Sequence, residues 1–167
     1  VKASIDWLKN EKNIPSSNIG LYGASFGAMI GLMTPAITND FQALAVVDSP
    51  FDFASLVKEE LTYQGFPGFL FEPVYHYALI FDRINLTEIS PDDGLSASNK
   101  QPLIIFNGRK SPRVLAHHTD DLIEAAANYG INTEVSLYDN LSHTEVMYVF
   151  PEEFELKLVN FFRNNIN

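Results

Sequence analysis

Two kinds of apolar pattern alternate along the chain and predict its secondary structure. Continuous apolar runs at 43–47 and 103–106 are typical of parallel strands that are buried on both faces of a sheet. A shorter run at 19–22 predicts another buried strand, and 133–138 alternates between apolar and polar residues as a half-buried strand does. We therefore expect these four strands to lie side by side in this order.

Helical patterns separate the predicted strands. Residues 2–12 carry apolar positions at helical spacing, and an apolar stretch that begins at Ala28 predicts a second helix. A third helix covers 117–129 with Gly130 just past its end, and Pro151 opens a last one. Strands that alternate with helices in this way predict the α/β class, a parallel sheet with helices on both faces.

The cap segment, residues 51–98, is rich in aromatic residues and has no clear period. Gly65, Pro67 and Pro73 divide it, which predicts short helices that form a small cap over a site. Most of its aromatic side chains are expected to be core residues. Because the chain has no internal repeat, we expect one domain over 1–167 with the cap as an insertion.

The pentapeptide Gly23-Ala-Ser-Phe-Gly27 lies between the strand predicted at 19–22 and the following helix. It matches G-x-S-x-G, in which a serine on a sharp strand-to-helix turn projects its hydroxyl clear of the sheet. Strand and helix approach so closely there that side chains at 23 and 27 would collide, which glycine avoids. A chance match is the alternative, but the flanking pattern favours a nucleophile, Ser25, in a strained backbone conformation.

Composition limits the classes of function. The 167 residues include 21 acidic and 11 basic ones, and the resulting charge of −10 argues against nucleic acid or an anionic membrane surface as a partner. No apolar run is long enough to span a bilayer. The absence of cysteine excludes disulfides, thiolate catalysis and cysteine-based metal sites.

A serine nucleophile needs a base to take its proton. Among the four histidines, His143 follows the last predicted strand, at the carboxyl edge of the sheet where catalytic groups of parallel sheets collect. It also follows the serine in chain order, which favours a general base over the alternative of a solvated loop histidine. His76 falls in the cap segment, and His117 and His118 are expected to form a surface pair at the start of a helix.

These features resemble the α/β-hydrolases, in particular serine hydrolases similar to prolyl-oligopeptidase-type peptidases and acyl esterases. The resemblance covers nearly the whole chain and rests on a specific segment at 19–27, with collective support from 45–51, 86–91, 102–108, 142–143 and 153–162. It implies Ser25 as the nucleophile, His143 as the general base and the Phe26 backbone N–H as an oxyanion donor, without a metal or organic cofactor. It also implies a cytoplasmic enzyme that acts on a small ester, an amide or a peptide.

The chain departs from the family pattern at the catalytic acid. The family's acid lies in a turn of the form Gly-x-x-Asp-x-x-Val, and in the turn at 108–114 that position holds Ser111. A serine accepts a hydrogen bond from imidazole but has no charge to stabilise imidazolium, and loss of the acid's charge can cost about 10⁴ in turnover. Asp48, at the end of a predicted strand, is the candidate substitute acid, ahead of Asp120 and Asp121; otherwise the acid is lost.

A second departure concerns the N-terminus. In the family several strands precede the helix at 2–12, and one of their loops supplies a second oxyanion N–H, so the resemblance implies a truncated α/β-hydrolase fold. The strand at 19–22 would then be an apolar edge without lysine or proline, and such edges promote aggregation. We therefore expect a missing N-terminal segment, or a second copy of the chain in a homo-oligomer, to cover it.

The leading hypothesis is a serine hydrolase that cleaves an ester or amide by acyl transfer, with weak activity in this chain alone. The alternative is a non-catalytic α/β-hydrolase-like module for binding or assembly, which Ser111 and the missing strands favour. A flavodoxin-like domain that binds phosphate at 23–27 is disfavoured, because the loop has no further glycine pattern and the chain is acidic.

Overall fold

A computed structural model describes residues 1–83, 85, 88 and 90–166 of the chain. Leu86, Thr87 and Ile89, which belong to one of the segments behind the family resemblance, lie outside these described residues. Within the described part of the chain, no helix combines the length and the apolar character that crossing a membrane requires.

The described strands form a single parallel sheet. They are β1 (Gly20–Ala24), β2 (Ala43–Val47), β3 (Leu103–Gly108) and β4 (Thr133–Tyr138). Neighbouring strands are parallel and lie in chain order. The predicted α/β class and strand order are confirmed.

Helices connect the strands and cover both faces of the sheet. They are α1 (Lys2–Glu11), α2 (Phe26–Met33), α3 (Phe53–Tyr63), α4 (Phe71–Tyr77), α5 (Pro91–Ala97), α6 (Ala116–Asn128), α7 (Val146–Val149) and α8 (Pro151–Asn165). A single π turn, Ala78–Asp82, continues α4.

Local sequence signals set several of the helix ends. The Asp52 side chain accepts a hydrogen bond from the Ser55 N–H and caps α3. Ser90 forms a capping box at the start of α5, and Pro151 occupies the first turn of α8, where its missing N–H costs nothing. Gly130, with a φ of 67°, follows α6 in the left-handed conformation expected of a helix stop.

The core lies in two layers, one on each face of the sheet. Side chains from α1, α2, α5 and α6 pack on one face, and side chains from α7 and α8 pack on the other. Leu44 and Val46 of β2 belong to the first layer, whereas Ala43, Ala45 and Val47 belong to the second. Because alternate residues of a strand point to opposite faces, β2 has to be apolar throughout.

The prediction that most aromatic side chains of the cap segment are core residues is wrong. Phe66, Phe69, Tyr77 and Phe81 are each more than half exposed, whereas Phe71 is buried. Short helices that touch the body of the domain along one side bury only that side, so the outward-facing rings remain in solvent.

The strand β1 lies at one edge of the four-stranded sheet. Its Tyr22 is 48% exposed, although Ile19 just before it is buried. Gly20 lies against Phe162 and Ile166 of the C-terminal region, so closely that a Cβ there would meet both side chains. The expectation that a further segment or a second copy covers this edge stays a prediction.

Candidate active site

Ser25 occupies the turn between β1 and α2. Its φ of 54° and ψ of −127° lie in a region that non-glycine residues rarely adopt. A Cβ on Gly23 would lie 2.4 Å from the Gly27 carbonyl oxygen, so only glycine fits at 23. The collision expected at Gly27 does not occur, because a Cβ there would meet nothing within 4 Å. One glycine therefore permits the turn, rather than two.

This difference between the two glycines predicts different effects of alanine. Gly23→Ala forces strand and helix apart and is expected to lower the free energy of unfolding by about 1–3 kcal/mol or more. Gly27→Ala, the matched control, fills open space in the first turn of α2 and is expected to be neutral or stabilising by up to about 1 kcal/mol. Urea unfolding of both variants measures this, and equal losses of stability would contradict the packing argument.

The loop after β4 brings His143 to Ser25. The imidazole Nε2 lies 2.9 Å from the Ser25 Oγ, a hydrogen-bond distance. Gly108 at the end of β3 permits this loop to approach, because a Cβ there would lie 2.3 Å from the Ser142 carbonyl oxygen. On the other side, the Glu145 side chain accepts a hydrogen bond from the Ser142 N–H at 2.7 Å. Ser25 and His143, which are far apart in the chain, thus meet at the carboxyl edge of the sheet.

Ser111 lies against the second ring nitrogen of His143. Its Oγ is 3.2 Å from Nδ1 and also accepts a hydrogen bond from the Val114 N–H at 3.1 Å. A hydroxyl can accept a hydrogen bond from an Nδ1–H or donate one to a bare Nδ1, and only the first case leaves the Nε2 lone pair facing Ser25. A carboxylate, which can only accept, would impose that tautomer. Ser111 is therefore a neutral and less selective partner for the ring.

The Asp48 carboxylate does not bind the His143 ring, which corrects the expectation that it replaces the missing acid directly. Its Oδ1 accepts hydrogen bonds from the Asn107 side chain at 2.7 Å and the Gly108 N–H at 2.8 Å. Its Oδ2 accepts the Thr144 N–H at 2.5 Å. The reason is geometric, since Asp48 ends β2 between two loops whose N–H groups converge on it.

The other acidic candidates are engaged elsewhere. Asp120 forms a salt bridge with Arg109, and Asp121 lies near His117 on the same helix, α6. Arg113, the basic residue of this turn whose charge acts on His143, pairs with Glu60 of α3. These pairs offset the positive charges of Arg109 and Arg113, which would otherwise oppose protonation of the histidine.

Burial is the main influence on the pKa of both His143, which is partly buried, and Asp48, which is fully buried. It lowers the pKa of His143, while the charge of Asp48 acts in the opposite direction. Burial likewise raises the pKa of Asp48, against the hydrogen bonds from Thr144 and Gly108 that favour its ionised form. The histidine is therefore held in its neutral form, which is the form that can accept a proton.

A cavity of about 460 Å³ opens beside Ser25. One face of α3 forms a wall of this cavity, since the residues of α3 that line it recur at helical spacing. The lining is apolar except for Ser25, Glu60, Gln64 and Arg113. The remaining lining residues are Phe26, Phe53, Leu56, Val57, Leu61, Phe66 and Val114. The sequence pattern did not single out this wall, although the spacing of apolar residues from 53 to 61 was a usable signal.

Three potential metal ligands, Glu59 of α3 and His117 and His118 of α6, lie close together between these two helices. The expectation that the two histidines form a surface pair is wrong for His118, which is fully buried because α3 covers it. Its Nδ1 accepts the N–H groups of Phe51 and Asp52, so its Nε2 carries the proton and donates it to Glu59. That nitrogen has no lone pair for a metal, and the cluster fits a structural link between α3 and α6.

Comparison with known proteins decides the family. The model of the prolyl oligopeptidase family matches residues 1–167, the whole chain. The chain belongs to the prolyl oligopeptidase family. A comparison with curated proteins gives no match. In agreement with the family pattern, this member has a serine in the G-x-S-x-G turn and a histidine after the last strand. It departs from that pattern at the position of the catalytic acid, which holds Ser111.

Solved structures share the fold of this prolyl oligopeptidase family member at low identity. The Pyrococcus furiosus esterase Pf2001 has a TM-score of 0.75 and 22% identity, over 99% of this chain and 60% of that one. Porphyromonas gingivalis dipeptidyl peptidase 4 has a TM-score of 0.74 and 18% identity, over 98% of this chain and 22% of that one. Pyrococcus horikoshii acylaminoacyl peptidase has a TM-score of 0.69 and 15% identity, over 96% of this chain and 26% of that one. The chain thus spans 60% or less of the length of these proteins.

Proposed function

We propose that this family member is a serine hydrolase that cleaves an ester or amide by acyl transfer. The observation that carries the proposal is the 2.9 Å contact between the Ser25 Oγ and the His143 Nε2, at a turn where Ser25 has a φ of 54°. A serine held in a strained conformation with its hydroxyl on an imidazole has the arrangement of an activated nucleophile.

Each group has a definite part in the reaction. His143 Nε2 takes the Ser25 hydroxyl proton while Oγ attacks the substrate carbonyl carbon, which gives a tetrahedral oxyanion. The Phe26 N–H, in the first turn of α2 where backbone donors lack a helical partner, stabilises this oxyanion. His143 then returns the proton to the leaving group, which departs and leaves an acyl-serine. His143 then takes a proton from a water molecule, which attacks the acyl-serine carbonyl carbon. The second tetrahedral intermediate expels the Ser25 Oγ, to which His143 returns that proton, and the carboxylic acid leaves.

The cavity beside Ser25 points to a substrate with an apolar group next to the carbonyl. Leu56, Val57 and Leu61 of α3 offer no hydrogen bonds, and the two charged lining residues, Glu60 and Arg113, bind each other. A chain with a charge of −10 also disfavours anionic substrates. Esters and peptides with an uncharged apolar group at this position are therefore the proposed substrate class.

A fluorophosphonate probe tests the proposal directly. Such a probe phosphonylates only activated serines, so we expect covalent labelling that mass spectrometry maps to Ser25. Ser25→Ala is expected to abolish the labelling, and Ser17→Ala, which removes a partly exposed serine away from the site, is expected to retain it. Folding of each variant is checked by circular dichroism.

The same experiment distinguishes the alternative, a non-catalytic module with the hydrolase fold. Ser111 is the observation that favours it, because a neutral partner leaves His143 a weaker base during turnover. A folded protein whose Ser25 does not react with the probe and which releases no product from p-nitrophenyl butyrate would establish the module and overturn the hydrolase.

The pH dependence of turnover follows from the state of His143. The ring has to be neutral, because only then does Nε2 carry a lone pair. Burial lowers the pKa of His143 from its ordinary value of 6.5, so the ring stays neutral to more acidic pH. We expect kcat/KM for an uncharged ester to be constant near neutrality and to fall only as pH decreases through this lowered pKa. A midpoint of this fall at or above pH 6.5 would contradict the lowered pKa.

A further inference from the structure

Asp48 is a buried carboxylate in an unusual backbone conformation. It is 1% exposed and has a φ of 46°, in the left-handed region that few residues other than glycine adopt. Such a conformation costs free energy and persists only where the surrounding contacts hold it. The contacts of Asp48 lead directly to the histidine loop.

The hydrogen bonds of Asp48 fit its ionised form. All three donors are N–H groups, from Asn107, Gly108 and Thr144. A carboxylate, which only accepts, satisfies each of them, whereas a protonated acid would bring a donor that needs an acceptor of its own. Among the described residues, no lysine or arginine forms a salt bridge with Asp48. Its negative charge is therefore left to act on its surroundings.

The Thr144 contact connects this charge to the candidate base. The Thr144 N–H belongs to the peptide group that joins it to His143, so its hydrogen bond to Asp48 fixes the orientation of that peptide. Thr144 itself has a φ of 59°, a second left-handed residue at the same point. Asp48 thus holds the backbone from which the imidazole reaches Ser25.

We propose that Asp48 is a positioning residue for His143, which it holds through the Thr144 N–H and to which it supplies the negative charge that Ser111 lacks. The charged groups that act on His143 come from three elements: Asp48 at the end of β2, Glu60 on α3 and Arg113 after β3. Glu60 and Arg113 pair with each other and largely cancel, which leaves Asp48 as the uncompensated charge. The role of Asp48 in turnover rests on the proposed function, whereas its effect on the pKa of His143 does not.

The test compares the protein with Asp48→Asn. An asparagine presents only one acceptor oxygen, and its NH₂ would meet at least one of the three N–H donors. We expect NMR titration of labelled histidine to show a lower pKa for His143 in the variant, since the favourable charge is gone. Turnover is expected to fall by about 10²-fold, as a misplaced reacting group can cause, with KM nearly unchanged because Asp48 does not line the cavity.

Two further variants separate this role from a structural one. Asp48→Asn combined with Ser111→Asp returns a negative charge to the ring, so we expect the pKa of His143 to recover and turnover to rise above that of Asp48→Asn alone. Asp93→Asn removes another carboxylate that binds a backbone N–H, in the capping box of α5, and is expected to lower stability without altering the His143 pKa. An unchanged His143 pKa in folded Asp48→Asn would overturn the proposal.

The unaltered protein provides a measurement if Asp48→Asn does not fold. The carbon-13 signal of the Asp48 carboxyl group is expected to be that of an ionised acid at neutral pH and to shift as His143 titrates. A protonated Asp48, or a signal insensitive to His143, would overturn the proposal. The two proposals can be overturned separately. An unreactive Ser25 would overturn only the proposed hydrolase function, whereas a His143 pKa that does not depend on Asp48 would overturn only the positioning role of Asp48.

Discussion

Replacing Ser111 with aspartate is expected to raise kcat, by up to about 10⁴, the factor that loss of the acid's charge can cost in a serine triad. The Ser111 Oγ lies 3.2 Å from the His143 Nδ1 and already accepts the Val114 N–H, so a carboxylate at this position has both partners in place. It would impose the Nδ1–H tautomer and stabilise the imidazolium. Steady-state hydrolysis of p-nitrophenyl butyrate measures the gain.

The matched control for this gain is Ser111→Asn. Asparagine is nearly the same size as aspartate but uncharged, so it is expected to leave kcat unchanged or lower it. The aspartate should also move the acid limb of the pH profile to higher pH, because a neighbouring negative charge raises the pKa of His143. A folded Ser111→Asp variant with unchanged kcat and an unchanged pH profile would show that the ring does not respond to charge at position 111.

Replacing His143 with alanine is expected to lower kcat by at least about 10². In a complete serine triad, loss of the base lowers kcat by about 2 × 10⁶ and loss of the acid lowers it by about 3 × 10⁴. In a site that already has no acid, loss of the base is therefore expected to lower kcat by the ratio of these factors, about 10². The Nε2 contact with Ser25 at 2.9 Å is the interaction that this variant removes. Rates of ester hydrolysis and of fluorophosphonate labelling should both fall.

His76→Ala serves as the control for this loss. His76 is an exposed histidine of α4 whose ring contacts the Glu72 carbonyl oxygen, and its removal should leave both rates unchanged. If folded His143→Ala reacted with the probe as fast as the unaltered protein, His143 would not be the base. Greater sensitivity to His76→Ala than to His143→Ala would instead point to a base in the cap segment.

The architecture explains why these groups meet. Parallel strands in chain order place the ends of β1, β2, β3 and β4 along one edge of the sheet. Ser25, Asp48, Ser111 and His143 each follow a different one of these strands. Residues as far apart in the chain as 25 and 143 therefore contact each other, and α3 from the cap segment adds the apolar wall of the cavity.

The sequence by itself determined the α/β class, the four strands and their order, because each strand carries an apolar pattern that local helices and turns do not disturb. It also predicted where the elbow lies, since G-x-S-x-G is a local signal that needs only the strand before it and the helix after it. The position of His143 after the last strand followed from chain order. These conclusions depend on neighbours in the chain.

The tertiary structure alone decided the contacts between loops. The sequence suggested that Asp48 bind the His143 ring, but the N–H groups of Gly108 and Thr144 converge on its carboxylate and leave the ring to Ser111. It likewise placed His118 at the surface, whereas α3 buries it. Both errors have one physical cause. Burial and hydrogen-bond partners depend on which distant segments pack together, and periodicity along the chain carries no information about that choice.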